Sequence, residues 1–326
     1  MVDSPGRITL WGIEVFVATA EEGSISAAAR RLGASPSAVS QQLTNLENAI
    51  GASLLFRNTR PVALSPAGEL FRRRAGTILN EAALARSELA MADMTALTRF
   101  RLGMIEDFEA DVTPRLLTGL AEEMTGCQFL LETGASHHLH DQLDARALDV
   151  VVAAEMGATP DWAEVHPLLS EGFVVAAPRG TLDGMEPGAH DAVLSRLRDL
   201  PLVQYSARHH MGRQITAHLA RQDLRLSHRF ELDSYHAILA LVAQGAGWTI
   251  LTPLALMRAR RFAGQLDVAE LPFAPLERTI SLTARKDVLR DLPGQLAGKL
   301  KPLLQKEIVD SAIGAHPFMA AHLRVL

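Results

Sequence analysis

The side chains best suited to recognition chemistry lie in one stretch, Ser35 to Ile50, SPSAVSQQLTNLENAI. Ser37, Ser40, Gln41, Thr44, Asn45 and Asn48 carry no charge, and all of them can form hydrogen bonds. Gln and Asn match adenine edges in a DNA major groove, and Ser or Thr pair with several bases. Val39, Leu43, Leu46 and Ile50 recur at steps of four, three and four, the stripe of a helix that buries one face. Ser35 is placed to cap that helix, and Pro36 suits its first position, where a missing N–H costs nothing. An ordinary amphipathic surface helix has the same pattern, so the flanking residues must decide.

Those flanks position the stretch. Leu10, Ile13, Phe16, Val17 and Ala20 give a first helix its apolar face, which Gly23 and Ser24 end. Ser26 is expected to cap a short helix, Ala27 to Leu32, and Gly33 to close it in the left-handed conformation. With only Gly33-Ala34 before Ser35, the two helices form a helix-turn-helix. Beyond Gly51, Leu54 to Phe56 and Val62 to Leu64 flank the basic turn Arg57-Asn58-Thr59-Arg60-Pro61, a two-stranded wing. Between Ser24 and Gly76 seven arginines face two glutamates, a local excess of five positive charges in a chain of net charge −5. Phosphate contacts need such an excess. Arg72 to Arg74, beyond the wing, fit a phosphate role and a solvated helix face equally.

The stretch Ala27 to Gly68 resembles the N-terminal domain of LysR-type transcriptional regulators. The resemblance rests on Ala28-Ala29, Leu32, Ser35, Ala38-Val39-Ser40, Gln42-Leu43, Leu46-Glu47, Gly51, Leu55-Phe56, Arg57, Arg60, Leu64 and Ala67-Gly68 in one fixed spacing. It implies a winged helix-turn-helix with Pro36, Ser37, Ser40 and Gln41 at the base-facing start of the recognition helix and Arg57 and Arg60 on the wing. Arg30 and Thr44 join them as DNA-contact candidates. Pro36 stands where many members carry Gln, which shifts discrimination towards Ser37 and Gln41.

Length and composition bound the rest. A chain of 326 residues, 48% hydrophobic, can bury two or three cores. The single cysteine, Cys127, excludes an intramolecular disulfide and any cysteine-pair metal site, and a buried structural thiol is its expected role. No run approaches the roughly 18 apolar residues of a membrane span, and Ile8 to Ala20 lacks a cleavage site, so a cytoplasmic protein without membrane contact is expected.

From Ser65-Pro66 to about Thr95, Phe71, Ala75, Ile78, Ala82, Ala85, Leu89 and Ala92 alternate steps of four and three, a heptad seam. A second copy of the same helix is the expected partner, as in the family. An intramolecular core helix is the alternative. From Phe100 strands alternate with helices, which favours mainly parallel sheets. Leu102-Gly103, Gly134, Ser136, Leu139, Leu148-Asp149 and Phe230 to Pro253 follow the spacing of the family's effector domain. The expected fold class is α+β multidomain: an N-terminal winged helix-turn-helix (1–65), a long linker helix (66–96) and a C-terminal α/β effector domain (97–306), similar to a periplasmic binding protein. Its two subdomains are expected at about 97–169 with 275–306 and at about 170–274. The tail, 307–326, carries no readable signal.

In such a domain ligand meets strand ends and helix N-termini. These expectations select Glu106 and Asp107 after the first strand, Thr133 and Ser136 around the second strand's end, and Ser206, Asp233 and Ser234 in the other subdomain. Because Glu106 and Asp107 add negative charge, an anionic effector needs Arg208 or another cation to compensate. An effector with a cationic or amine portion, or a zwitterion, is the expectation, against the alternative that both acids merely face solvent or cap a helix. His137, His138 and His140 with Asp141, and His209, His210 and His236, lack metal-ligand spacing, so no metal and no cofactor are expected. The expected partners are double-stranded DNA, a small-molecule effector and further copies of the chain, a dimer through the linker helix and a tetramer by resemblance. An α/β cleft enzyme or solute-binding protein is the alternative, but P-loop, nucleophile-elbow and zinc-protease motifs are missing. A DNA-packaging role conflicts with the net negative charge.

Overall fold

The computed structural model describes residues 7–57, 59–90, 97–186 and 188–326. The chain divides into two compact units, the first holding the N-terminal residues with Asp144–Ala147, and the second holding Leu97–Leu143 and Leu148–Leu326.

The first unit contains α1 (Leu10–Glu22), α2 (Ile25–Arg31), α3 (Pro36–Ile50), β1 (Leu55–Phe56), β2 (Ala63–Leu64) and α4 (Pro66–Ala90). Side-chain caps set the helix starts. Thr9 accepts from the Gly12 N–H at 3.0 Å, and Ser35 from the Ala38 N–H at 3.2 Å. Ser24, rather than Ser26, caps α2, because Ser24 is the last residue with extended backbone before the helix. Val39, Leu43 and Leu46 pack with Ile13, Phe16 and Ala29 in one core, so the stripe on α3 is spent on tertiary burial. β1 and β2 pair antiparallel, Leu55 opposite Leu64. The Ser65 hydroxyl accepts from the Gly68 N–H at 3.0 Å and donates to the Ser53 carbonyl at 2.6 Å. A Cβ on Gly68 would lie 2.0 Å from the Leu54 carbonyl oxygen, so only glycine lets α4 start against that strand.

The heptad seam of α4 divides. Phe71 meets Phe16 edge-on, with centroids 5.3 Å apart, and Ala75 is wholly buried in the same core. Ile78 and Ala85 are exposed and Ala82 half-buried. The expectation of one seam reserved for a second copy is therefore corrected: its first part serves the winged helix itself. Ala92 lies outside the described residues.

The second unit begins with β3 (Arg99–Ile105), a 3-10 turn Glu106–Phe108, α5 (Thr113–Glu123), β4 (Gln128–Gly134), α6 (Ser136–Asp144), β5 (Val150–Ala154) and β6 (Ala163–Gly172). There follow β7 (Val174–Pro178), α7 (His190–Arg198), β8 (Leu202–Tyr205), α8 (His210–Arg221), β9 (His228–Leu232), α9 (Tyr235–Ala243), β10 (Thr249–Leu251), α10 (Pro253–Arg258) and β11 (Leu266–Glu270). The chain ends with β12 (Glu277–Arg285), α11 (Leu292–Leu304), a π turn Gln305–Val309, α12 (Asp310–Ala315), a 3-10 turn Pro317–Ala321 and β13 (Leu323–Val325).

One sheet has the order β13-β6-β12-β5-β3-β4. β10-β7-β11 and β8-β9 form the other strand layer, joined by a bridge between Leu202 and Trp248. The chain leaves the first sheet between β6 and β7 and returns between β11 and β12. Mainly parallel sheets were the expectation, and the sheets are mixed. β3 is parallel to β4 and β5, but β12 runs antiparallel to both β5 and β6. The cause is the double crossing, since the strand that leaves and the strand that returns run in opposite directions.

Arg101 and Asp149 fasten β3 to the chain entering β5. The Arg101 backbone N–H donates to Asp149 Oδ2 at 2.7 Å and its guanidinium to Oδ1 at 2.6 Å. The tail, unreadable as sequence, supplies the sixth strand, with Leu323 opposite Glu171 and Val325 opposite Leu169. It covers an edge that would otherwise present unpaired backbone groups.

Candidate functional site

Two surfaces concentrate the candidate residues. On α3, Pro36, Ser37 and Gln41 are exposed, while Ser40 and Thr44 are half-buried. Ser35 and Ser37 hydroxyls lie 3.0 Å apart, and Gln41 Nε2 donates to Asn45 Oδ1 at 3.0 Å. The pair is four residues apart on one helix face, which keeps both amides together and leaves each with donor and acceptor capacity outward. Arg30 and Arg60 are exposed, as are Arg72 to Arg74.

Arg57 is engaged within the protein. Its Nη2 donates to Glu47 Oε2 at 2.5 Å and its Nη1 to Thr44 Oγ1 at 3.1 Å. Glu47 Oε1 also accepts from the Leu54 and Leu55 N–H groups at 2.7 and 3.2 Å. One carboxylate thus ties the wing to the recognition helix. Sequence reasoning noted Glu47 only as part of a spacing pattern. Its signal was an acid on the edge of the buried stripe in an otherwise uncharged helix.

The second surface is a cleft of about 120 Å³ between the two subdomains of the second unit. Glu106, Asp107, Ser136 and His137 line it from one side, and Tyr205, His209, His210, Gln214, Asp233 and Tyr235 from the other. Of the residues selected from sequence, it brings together Glu106, Asp107, Ser136 and Asp233. Thr133 and Ser234 are each one position from a lining residue, Gly134 and Asp233. Ser206 is buried, and its hydroxyl donates to Glu231 Oε1 at 2.7 Å. Ser136 Oγ accepts from the Ala154 N–H at 3.1 Å, which joins the start of α6 to the end of β5. A Cβ on Gly212 would lie 2.1 Å from the Ser206 carbonyl oxygen. That close approach seats the first turn of α8, which carries His210 and Gln214 to the cleft.

The charges are compensated differently from the expectation. Glu106 pairs with Arg258 at 2.5 Å, and Asp107 Oδ2 accepts from Arg278 Nη2 at 3.0 Å. Arg208 is not the compensating cation, and its Nε donates to Ser206 Oγ at 3.4 Å. Arg278 also donates through Nε to Glu171 Oε1 at 2.6 Å, and Glu171 Oε2 accepts from the Leu254 N–H at 3.0 Å. Burial pushes the Glu171 pKa up; Arg278 opposes the rise and Asp107 adds to it. Burial works against the Arg278 charge, but Glu171 and Asp107 outweigh it and hold its pKa above the usual guanidinium value. Burial, followed by the charges of Asp107, Glu106 and Asp233, pushes the Tyr205 phenol up to about 12. Burial and Asp107 also raise Tyr235.

The other histidines disperse. His138 lies 2.9 Å from Glu132, and His140 Nε2 lies 3.1 Å from the Ala154 carbonyl oxygen. Cys127 is half-buried rather than buried, because it precedes β4 at the open side of its sheet. Among the described residues no helix is long and apolar enough to cross a membrane.

Residues 10–69 match the family described as bacterial regulatory helix-turn-helix protein, lysR family, and residues 96–293 match the LysR substrate binding domain. The chain is 29% identical over 309 residues to a probable hydrogen peroxide-inducible genes activator of Mycobacterium avium, covering 92% of this chain and 96% of that one. A solved OxyR variant of Corynebacterium glutamicum aligns over 98% of both chains with a TM-score of 0.62 at 24% identity. A full-length CbnR bound to its target DNA aligns over 90% of this chain and all of that one, with a TM-score of 0.59 at 19% identity.

Proposed function

The chain belongs to the LysR family of bacterial helix-turn-helix regulators, and from that premise we propose how this DNA-binding transcriptional regulator divides its work. It is not an enzyme. The exposed start of α3, with Ser37, Ser40 and Gln41 reading base edges and Pro36 setting the first turn, enters a major groove. Arg30 and Arg60 contact phosphates, and Arg57 and Thr44 fix the wing that carries Arg60. The observation that carries this reading is the uncharged, hydrogen-bonding outer face of α3 beside exposed arginines.

A small molecule in the cleft between the subdomains modulates promoter binding, because its affinity differs between arrangements of the assembled chains. Regulators of this family form oligomers, and a dimer through the outer part of α4 is supported by Ile78, which is 39% exposed on the seam. Pairing of such dimers into a tetramer is the further expectation. A cytoplasmic location is part of the same proposal, since the protein works on DNA.

The relative's name raises peroxide sensing. A sensor that closes a disulfide within one chain needs a thiolate poised near a second thiol. This chain has one cysteine, and burial, with the Asp149 charge, pushes the Cys127 pKa up. We infer that this chain does not use an intramolecular thiol–disulfide switch.

The test is a titration of the protein into duplex from its own gene's upstream region, against a scrambled duplex, over a salt series. A preference for the upstream duplex that survives moderate salt is the expected result. Absence of binding to any DNA at low salt would overturn the reading.

A further inference from the structure

Three buried polar atoms in the second unit have no hydrogen-bond partner and belong to residues lining the cleft. They are Asp107 Oδ1, Gln214 Oε1 and His210 Nε2. Gln214 Oε1 and the oxygen of an Asp107 carboxylate are acceptors, and an acceptor left dry and unpaired is costly. The Asp107 side chain is only 5% exposed, and its other oxygen is taken by Arg278. Its free oxygen therefore awaits a donor that the protein does not supply.

Charge gives the donor its sign. Arg278 is shared by two buried carboxylates, Glu171 and Asp107, so one guanidinium answers two acids. Its Nη2 is further occupied by Thr252 Oγ1 at 3.3 Å. On the other wall burial lowers the His210 pKa and so favours its uncharged form, and Arg213, Arg278 and His137 lower it further. The aromatic wall has the same preference. Tyr205 and Tyr235 have ring centroids 5.2 Å apart, and both remain uncharged phenols at neutral pH. Aromatic faces attract cations. Size limits the ligand, since about 120 Å³ is somewhat less than an engineered cavity of about 150 Å³ that holds benzene.

We propose that the cleft takes a small organic ammonium, whose N–H groups donate to Asp107 Oδ1 and Gln214 Oε1 and whose short hydrocarbon part lies against Tyr205 and Tyr235. The proposal rests on the cleft being the effector site of the regulator. It replaces the argument from uncompensated surface acids: Glu106 is answered by Arg258, and the attraction lies in the unpaired oxygen of Asp107. A larger concavity of about 600 Å³, between the second strand layer and the tail, has no unpartnered buried polar atom among its described lining residues.

The experiment is calorimetric titration of the full chain with methylammonium to butylammonium chlorides, against the sodium carboxylates of matched length. DNA affinity is measured on the same preparation. Ammonium binding near millimolar affinity is expected for ligands of a few atoms, with no heat from the carboxylates. Asp107→Asn should weaken binding about tenfold or more, as expected for loss of a hydrogen bond to a charged group. Gln214→Met leaves the ion triad intact and should weaken binding by roughly threefold to tenfold, so the proposal stays testable if Asp107→Asn fails to fold. Carboxylate binding that Gln214→Met weakens would overturn the ammonium class and keep the cleft as effector site. No heat from either series, or ammonium binding unchanged in Gln214→Met, overturns the proposal. If DNA binding persists in that case, the regulator reading stands, and if DNA binding is also absent, both fall.

Discussion

On α3 the groups offered to a ligand come from one short run, Pro36 to Thr44, and most of them face solvent. In the cleft they come from Glu106 through Arg278, and the central ion pair joins residues 171 positions apart. The first surface lies open, so its side chains keep their water and cost the fold little. The second lies in a cleft whose central charges are already desolvated and must be answered by other charges. A recognition helix can therefore be altered residue by residue, while the cleft responds as a network.

The largest predicted effect tests that network. Arg278→Ala leaves Glu171 and Asp107 as buried carboxylates without their cation, and should remove about 3–5 kcal/mol of stability. Denaturation followed by a probe in the second unit would measure it. Acid should recover part of the loss. Glu171 keeps its proton to higher pH in the folded chain than in the unfolded one, so its ionisation opposes folding. In the unaltered protein this contribution makes stability fall as pH rises from the ordinary carboxylate value of 4.5 through the higher folded value. Glu171→Gln should flatten that slope in a series of denaturation curves.

In the first unit Glu47 forms a comparable lock, holding Arg57 and the Leu54 and Leu55 N–H groups. Glu47→Ala removes the acceptor for two backbone N–H groups and Arg57, and should cost about 2 kcal/mol. DNA affinity should fall with it, because the wing loses its anchor. A next smaller effect is expected at the outer face. Gln41→Ala should leave thermal stability unchanged and reduce discrimination between the upstream and scrambled duplexes by about 1–3 kcal/mol. Arg60→Ala should give the smallest change, an equal loss on both duplexes and a salt slope lower by about one. If Gln41→Ala destabilised the fold as much as Glu47→Ala, the contrast between the two surfaces would break.

The boundaries of α3 and its buried stripe were legible because they depend on local features, Ser35 as cap, Pro36 at the first position and a repeat of three and four. The strands Val150–Ala154 and Leu202–Tyr205 were legible as short apolar runs. β6, β9 and β11 were not. β6 carries His166 and Pro167, β9 reads HRFEL and β11 LDVAE, and none shows clean alternation. β13 was hidden for a related reason: three residues at the end of a chain become a strand only because β6 offers an edge. In the cleft, a strand-end rule found Glu106, Asp107, Ser136 and Asp233 but missed Gln214, His210 and Tyr235, which α8 and α9 deliver from beyond the strands.

What the sequence determined by itself is what short-range geometry determines: the helix-turn-helix, its uncharged outer face, the local positive excess and the absence of a second thiol. Periodicity and capping act over a few residues, so they survive without knowledge of the fold. Tertiary structure alone decided which cation answers which acid, that Arg57 serves Glu47, that Phe71 and Ala75 of the α4 seam are spent inside the winged helix, and that Asp107 keeps one oxygen without a partner. Those outcomes depend on distances between residues far apart in the chain and on how completely water is removed around them, and neither quantity is written in the spacing of residue types.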